Sequence, residues 1–218
     1  MTYRNALALP LAMILTACSS EDIETANFGS SINKNQYNLV NASQYEIAFH
    51  MANTEIDGDE RNVANDKYRV KVLAAGMEPS RISHEHNVNR EISFFAKSVN
   101  QLGLSERRKF KVSHDQDYHF VVQQNNRDTL DIAVVERQRN DQDSVFSMRI
   151  LAAADMTLSI NGDTHHFNQG QVSGWYRIDD CNSDILLEGE PLSLCQASFD
   201  RSYLVVVSEQ GLQALILE

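Results

Sequence analysis

From Gln36 onward, apolar residues recur at every second position or in short unbroken runs. Clear alternation occurs at 68–72, 109–113 and 130–134. Short segments of this kind, bounded by Asn, Asp, Gly and Ser, are typical of β-strands. Helical spacing is nearly absent, and only Phe94–Leu104 is expected to form a short helix or an irregular excursion. The pattern therefore predicts an all-β protein.

The chain also repeats its own pattern. Residues 38–49 align without a gap on residues 149–160, each with an apolar strand, a turn of small residues and an alternating strand. Three more pairs of segments follow in the same order: 68–70 with 176–178, 117–122 with 202–207, and 129–136 with 211–218. Matches in one order along both halves predict an internal duplication.

The duplication divides the body into a first unit at 37–139 and a second at 145–218, joined across the polar stretch 137–144. A sheet with one apolar face must bury it, so strands in units of this size usually form two packed sheets. We therefore expect two tandem Ig-like antiparallel β-sandwich units. One larger sandwich or barrel that uses both halves is the alternative, because the second unit is small.

The first residues have the pattern of an export signal. Arg4 precedes about a dozen mostly apolar residues, which are too few to span a membrane. They end in Leu15-Thr16-Ala17-Cys18, which resembles the lipobox of bacterial lipoproteins. The resemblance implies that residues 1–17 are a cleaved signal peptide. It also implies that Cys18 carries diacylglycerol on its sulfur and a fatty acid on its amine.

Several acyl chains on Cys18 would hold the protein firmly on a bilayer. Ser19, rather than Asp, follows Cys18. In lipoproteins of Gram-negative bacteria this pattern implies sorting to the outer membrane, where the periplasmic face is the expected location. The segment 18–36 is polar and acidic, which predicts a flexible tether between the membrane and the folded body.

Two cysteines remain once Cys18 is assigned to lipid. An even remainder in an exported protein predicts a disulfide between Cys181 and Cys195. It would close a loop of about 15 residues, which contributes roughly 3 kcal/mol to stability. The spacing does not match a zinc or redox motif.

A second resemblance concerns the body. An apolar strand ending in Asn-Ala-Ser at 39–43, an alternating strand and a late Tyr-x-x-Val-Val strand at 118–122 resemble the uncharacterised tandem β-sandwich domains of bacterial cell-envelope proteins. The second half has Ala152-Ala153-Ala154 where Asn-Ala-Ser is expected. The resemblance implies a fold and an envelope setting, and no activity.

The formal net charge of −11 makes nucleic acid an unfavourable partner, because phosphate binding needs a basic face. The short cluster Arg107-Arg108-Lys109 is expected to be a solvated turn before a strand. The membrane, through Cys18, and an envelope protein or glycan of unknown identity are the predicted partners.

Histidines offer the strongest hint of metal chemistry. His84 and His86 would share one face of a strand and could together hold a cation. They lie in a part of the first unit that the shorter second unit is expected to lack. The segment follows Pro79 and is polar, so solvated histidines are the competing interpretation. His114 and His119, flanking a turn, are expected to be exposed.

The sequence contains no G-x-S-x-G, no phosphate-binding glycine loop and no dinucleotide fingerprint. Trp175 is expected to fill the second core. We therefore predict a non-catalytic, lipid-anchored cell-envelope protein without a cofactor, acting as a binding or assembly accessory. The alternatives are a periplasmic metal-binding protein using His84 and His86, and an unrecognised hydrolase, since catalytic triads assemble from distant positions.

Overall fold

The computed structural model describes residues 33–55, 57–86, 89–125 and 129–218. The first unit contains β1 (Asn33–Ala42), β2 (Ile47–Asn53), a 3-10 turn (Asp66–Tyr68), β3 (Arg69–Leu73), β4 (Ser80–His86), β5 (Glu91–Ser98), β6 (Ser105–Lys111), β7 (Tyr118–Gln124) and β8 (Leu130–Glu136). The second contains β9 (Phe146–Ala152), β10 (Met156–Ile160), β11 (Asp163–Phe167), β12 (Tyr176–Ile178), β13 (Ile185–Leu187), β14 (Glu190–Pro191), β15 (Arg201–Ser208) and β16 (Gly211–Leu217). The all-β prediction is confirmed.

Each unit consists of two four-stranded sheets, and none is closed into a barrel. We call the sheet of each unit that faces the other unit its inner sheet, and the remaining sheet its outer sheet. In the first unit the inner sheet has the order β4-β1-β7-β8 and the outer sheet the order β3-β2-β5-β6. In the second unit the inner sheet is β12-β9-β15-β16 and the outer sheet is β11-β10-β13-β14. The strand orders of the first unit become those of the second when eight is added to each strand number. The prediction of two β-sandwich units is confirmed.

The sheets are antiparallel with one exception in each unit. β1 pairs in parallel with β7, and β9 pairs in parallel with β15. The register is also duplicated: Asn38 pairs with His119, and Arg149, its counterpart in the alignment, pairs with Leu204. The parallel pair therefore joins the first and seventh strands of both units in the same way.

One of the four sequence matches is wrong. Tyr68–Val70 leads into β3, which pairs with β2 in an outer sheet, whereas Tyr176–Ile178 is β12, which pairs with β9 in an inner sheet. The counterpart of β12 is β4, because each pairs with the first strand of its unit. A three-residue match on two edge strands was too short to distinguish them.

The segment Phe94–Leu104 is not a helix. Its first part belongs to β5, and the remainder forms the turn into β6. Phe94 packs in the first core while Phe95 packs on the opposite face, against Ala52 and Val63. Because both faces are apolar, the alternation that marks a strand is lost. The first strand also begins at Asn33, inside the segment assigned to the tether.

Each sandwich has its own core between its two sheets. In the first unit, the Phe120 ring meets Phe49 edge-on at 5.0 Å and Phe94 at 4.9 Å between centroids, a favoured aromatic geometry. The second core is mainly aliphatic and includes Met148, Ile150, Leu158 and Val205. Large buried apolar side chains of this kind supply the main driving force for folding.

Both units contain the same hydrogen bond between a tyrosine hydroxyl and the backbone. The backbone N–H of Ser113 donates to the Tyr118 hydroxyl at 2.8 Å, and that of Ser198 donates to the Tyr203 hydroxyl at 2.9 Å. Each tyrosine lies at or near the start of a long inner strand and its hydroxyl contacts the backbone five residues earlier, as in the tyrosine corner of immunoglobulin-like sandwiches. The duplication thus extends to single hydrogen bonds.

The Asn-Ala-Ser sequence that ends β1 has a structural role. Asn41 is buried, and its side-chain amide donates to the carbonyl oxygens of Tyr45, at 2.7 Å, and Leu73, at 2.9 Å. Its side-chain oxygen accepts from the backbone N–H and the hydroxyl of Ser43. These bonds hold the turn between the two sheets.

A third apolar layer lies between the two units. It is formed by the faces of the two inner sheets that point away from their own cores, and it contains Val40, Ala42, Val121, Ala133, Val135, Leu151, Ala153, Leu204, Val206 and Ile216. The central inner strands are therefore buried on both faces, which explains their unbroken apolar runs. The units are packed face to face rather than joined only by a linker.

The predicted disulfide between Cys181 and Cys195 is present, with Cα atoms 4.9 Å apart. It encloses β13 and β14, the short strands of the second outer sheet. Leu192 and Leu194, within the loop, are buried in the second core. The bond therefore holds a segment with little regular hydrogen bonding against that core.

We predict that Cys181→Ala combined with Cys195→Ala lowers the free energy of unfolding by about 3 kcal/mol, because the unfolded chain loses the constraint of a closed loop. Denaturant titration should measure the loss. A reductant should bring the wild-type protein to the midpoint of the double variant and leave the variant unchanged. Equal midpoints for the variant and the oxidised wild type would contradict the prediction.

Candidate functional site

His84 and His86 lie on β4 and, as expected for a strand, point to the same face. That face is turned toward the first core. His84 Nε2 lies 3.3 Å from Asn53 Oδ1, and the His86 ring lies 5.2 Å from the His114 ring between centroids. Within the described ranges, no three His, Cys, Asp or Glu side chains are grouped so that they could hold a metal ion. His84 and His86 therefore lie beside the side-chain amide of Asn53 and the imidazole of His114.

The expectation that this segment has no counterpart in the second unit is wrong. β4 corresponds to β12, and His84, paired with Asn35, occupies the position of Ile178, paired with Phe146. Ile178 is fully buried. His84 is therefore a histidine at a core position, and burial, with a smaller contribution from the charge of His86, lowers the pKa of His84 to about 4. The second unit is shorter because several of its equivalent strands and the connection between its second and third strands are shorter.

Two other sequence expectations also fail. Arg107-Arg108-Lys109 lies within β6 rather than in a turn; Arg107 Nη1 is 3.2 Å from Glu60 Oε2, and Arg108 donates to the Ile132 carbonyl at 2.6 Å. His119 is not exposed but fully buried between the units, whereas His114 is exposed, as expected, and lies beside His86.

Buried charges cross the third apolar layer. The Glu218 carboxylate accepts from Arg149 Nε at 3.0 Å and from Arg149 Nη2, from His119 Nε2 at 2.9 Å, and from the Gln138 backbone N–H at 3.1 Å. Arg149 Nη2 also donates to the Glu136 carbonyl at 2.9 Å. The network therefore joins β7 and the end of β8 to β9 and the residue that follows β16.

The protonation states follow from this geometry. Burial alone would raise the pKa of Glu218, but hydrogen bonds from His119 and Arg149 and the charge of Arg149 outweigh it and lower the pKa. Burial lowers the pKa of His119, which is therefore neutral. Because a carboxylate only accepts, the proton of the neutral imidazole sits on Nε2. The network is an Arg–Glu ion pair with a neutral histidine.

Trp175 does not fill the second core. Its ring lies over the Arg149 guanidinium, 5.2 Å from Cζ to the ring centroid, while its neighbour Tyr176 packs against the core. A cation held over an indole face is stabilised by the ring quadrupole. Sequence reasoning missed Arg149 and Glu218, although an arginine inside the apolar run 148–152 was a usable signal.

A groove of about 630 Å³ opens beside this interface, along β16. One wall is β16 itself. The opposite wall is the face of β1 and β4 that points away from the first core, together with the turn that joins β3 to β4. Its lining includes Asn38, Met77, Glu78, Arg81, Arg137, Gln196, Gln213, Leu215 and Leu217. We call this surface the inter-unit groove. Met77 and Leu217 are exposed by 56% and 52%, so apolar surface borders polar groups there.

The position of the groove follows from how the inner sheets stack. β16 lies on β1, and β9 lies on the end of β8, to which Arg149 is bonded. β15 therefore lies on β7, and β4, the next strand beyond β1, has no strand of the second unit above it. The inter-unit groove is the step that this offset leaves.

No protein-family model matches the chain, and no curated protein matches it. The described residues contain no helix with the length and hydropathy needed to cross a bilayer. Cys18, the predicted signal peptide and most of the predicted tether lie outside the described residues. The fold and the inter-unit groove define a two-unit β-sandwich protein with a concave surface between its units.

We predict that Arg149→Met lowers the free energy of unfolding by about 3–5 kcal/mol, because it leaves the buried Glu218 carboxylate without its cation. Arg139→Met is the matched control: Arg139 also pairs with a carboxylate, Asp141, but its side chain is 66% exposed, so the loss should stay below about 1 kcal/mol. Denaturant titration of both variants measures the difference. Equal losses would show that the buried network contributes no more than a surface pair.

We also predict that His84→Ile weakens the acid sensitivity of folding. The folded protein keeps His84 neutral down to about pH 4, whereas the unfolded chain protonates near pH 6.5, so stability is complete above pH 6.5 and falls as the pH drops toward 4. The loss approaches about 1.4 kcal/mol per pH unit for one such histidine. His50 and His119, whose pKa values burial also lowers, add to it.

Unfolding free energies measured across this range should therefore depend less steeply on pH in His84→Ile than in the wild type. His166→Ile, which changes an exposed histidine on β11, should keep the wild-type slope. The prediction fails if the two variants have the same slope.

Proposed function

We propose that the protein is a non-catalytic, lipid-anchored protein of the bacterial cell envelope that binds a polypeptide partner through the inter-unit groove. The lipobox-like sequence at 15–18 supports the anchor, with Cys18 as the acylated residue. Ser19 supports the outer membrane as the destination in a Gram-negative cell. The single observation that carries the binding role is the inter-unit groove, where exposed apolar side chains border a strand edge.

The body is suited to holding such a groove in a fixed shape. Both walls are strands of inner sheets, and the third apolar layer and the Glu218 network fix one wall relative to the other. A site built on rigid elements loses less conformational entropy on binding than a site built on loops. Exposed backbone along one wall favours a polypeptide over a glycan, because it offers a ladder of donors and acceptors.

The experiment is site-specific photo-crosslinking in intact cells. A photo-reactive residue is placed at Met77, on the rim of the groove, or at Leu102, which is fully exposed on the β5–β6 turn of the outer sheet. We expect a discrete protein adduct from position 77 and none from position 102, because only the former borders the groove. The Cys18→Ser variant, without the anchor, should lose the adduct together with its membrane fraction.

The outcome that contradicts the proposal is equally specific. Capture of the same abundant proteins from both positions, with and without Cys18, would show that the groove is not a specific binding surface. Membrane association that survives Cys18→Ser would show that Cys18 is not the anchor.

A further inference from the structure

We propose that the free edge of β16 accepts one extended segment of a partner polypeptide as an additional strand. This strand lies above the face of β4 that points away from the first core. The inference rests on the proposed function in taking the partner to be a polypeptide. It adds the mode of binding, the strand that receives the segment and the side-chain chemistry of the segment.

Among the described residues, β16 has β15 as its only strand neighbour, so the backbone groups on its outer edge have no ladder partner there. The Glu218 N–H donates to the Ser202 carbonyl at 2.9 Å, so residues 202 and 218 form a hydrogen-bonded pair. Such pairs alternate with non-bonded pairs in an antiparallel ladder. The N–H and C=O groups of Leu217 and Leu215 therefore point away from β15, along the groove.

The first unit covers the equivalent edge. There β6 lies against β8, and Arg108 donates to the Ile132 carbonyl. The counterpart of β6 is β14, which has only two residues, one of them Pro191, and makes no comparable contact with β16 within the described part of the second unit. The edge of β16 is open because its covering strand has been shortened.

β16 also lacks the features that normally protect an edge strand, which are charges, proline and short length. Its sequence, Gly-Leu-Gln-Ala-Leu-Ile-Leu, has seven residues and no charge. The other uncovered edges are charged or very short: β3 and β6 carry arginine and lysine, β4 and β11 carry acidic residues and histidine, and β12 and β14 have only three and two residues. Within the described chain, β16 is the long edge left without protection.

The step above β4 admits a single strand and excludes the edge of another complete sandwich. If a second copy paired its β16 with this one in a continuous antiparallel sheet, its β1 would lie beneath its own β16. That position is already occupied by β4 of the first copy. An isolated extended segment carries no second layer and meets no such obstacle. The occupant is therefore a single strand of a partner.

The two faces of the added strand would meet different surroundings. One face continues the inner side of the second sandwich and borders Leu215 and Leu217, which favours apolar residues. The other lies above β4 and faces Arg81, whose side chain is 58% exposed, and Arg137. The charged residues that line the groove are these two arginines and Glu78 on the exposed turn. Both guanidinium groups contact the Asp117 carboxylate, at 3.1 and 3.3 Å, and two guanidinium groups on one carboxylate leave N–H donors for an acidic residue of the added strand. An extended segment that alternates apolar and acidic residues fits both faces.

The experiment measures binding of a short synthetic peptide in which valine alternates with glutamate to the full chain purified in detergent. Two N-methylated forms of the peptide are compared, one blocking the amides on one edge of the strand and the other blocking those on the opposite edge. A strand that pairs with β16 uses one edge only. We expect one form to lose affinity by at least about tenfold and the other to bind as the parent does.

A variant pair on the protein tests the same contact. Leu217→Lys places a charge on the edge and removes an apolar contact, so it should lower the affinity for the parent peptide by at least about tenfold. Leu102→Lys, at a fully exposed leucine on the β5–β6 turn away from the groove, should leave the affinity unchanged. Amide exchange at residues 215 and 217 should slow when the peptide binds.

Several results would overturn the proposal. They are no binding of the alternating peptide, equal effects of the two N-methylated forms, and equal effects of Leu217→Lys and Leu102→Lys. Dimerisation of the wild type that Leu217→Lys abolishes would make a second copy the occupant. Slow exchange at 215 and 217 without peptide, relieved by deleting residues 19–31, would make the chain itself the occupant. A protein adduct at Met77 together with any of these results would leave the proposed function standing without strand addition.

Discussion

The face-to-face packing of the two inner sheets constrains the rest of the molecule. It requires the strands β1, β7, β9 and β15 to be apolar on both faces, and it places small and branched side chains such as Ala133, Ala153 and Val206 where the sheets meet. An apolar layer is not directional, whereas the bonds of Glu218 to Arg149 and His119 have fixed geometry. We infer that these bonds set the register between the units, and that the inter-unit groove inherits its shape from that register.

The duplication makes the differences between the units informative. Where the second unit has Ile178 in its core, the first has His84, and where the first covers an edge with β6, the second has the two-residue β14. Each difference changes one property of a shared scaffold. The histidine adds sensitivity to acid, and the shortened strand leaves backbone groups of β16 without a strand partner in the described part of the chain. Common features such as the tyrosine contacts of Tyr118 and Tyr203 maintain the fold itself.

Much of the fold could be predicted from sequence because it depends on local patterns. Alternation identified the strands, and the alignment of 38–49 with 149–160 survives as an identical register in the parallel pairs. The mismatch of Tyr68 with Tyr176 shows the limit, since three residues cannot specify which sheet an edge strand joins. The disulfide was predictable because only two cysteines remained.

The site was harder to predict because it depends on contacts distant in sequence. Glu218 lies 99 positions from His119 and 69 from Arg149, and no local pattern relates them. The open edge of β16 depends on the length of β14 and on the offset between two sheets. The sequence did carry a partial signal, since the last strand has no charge, but it gave no indication that this strand lies at an edge.

The central position of β1 has a mechanical consequence. β1 lies between β4 and β7, and its hydrogen bonds to both neighbours run across the strand direction. A pulling force applied at Asn33 and directed along β1 would therefore load both ladders in shear, so that many bonds must break together rather than one after another. A strand at the edge of the sheet would share that force with one neighbour only. The fold thus places a strand that is bonded on both sides where traction from the N-terminal side would enter the body.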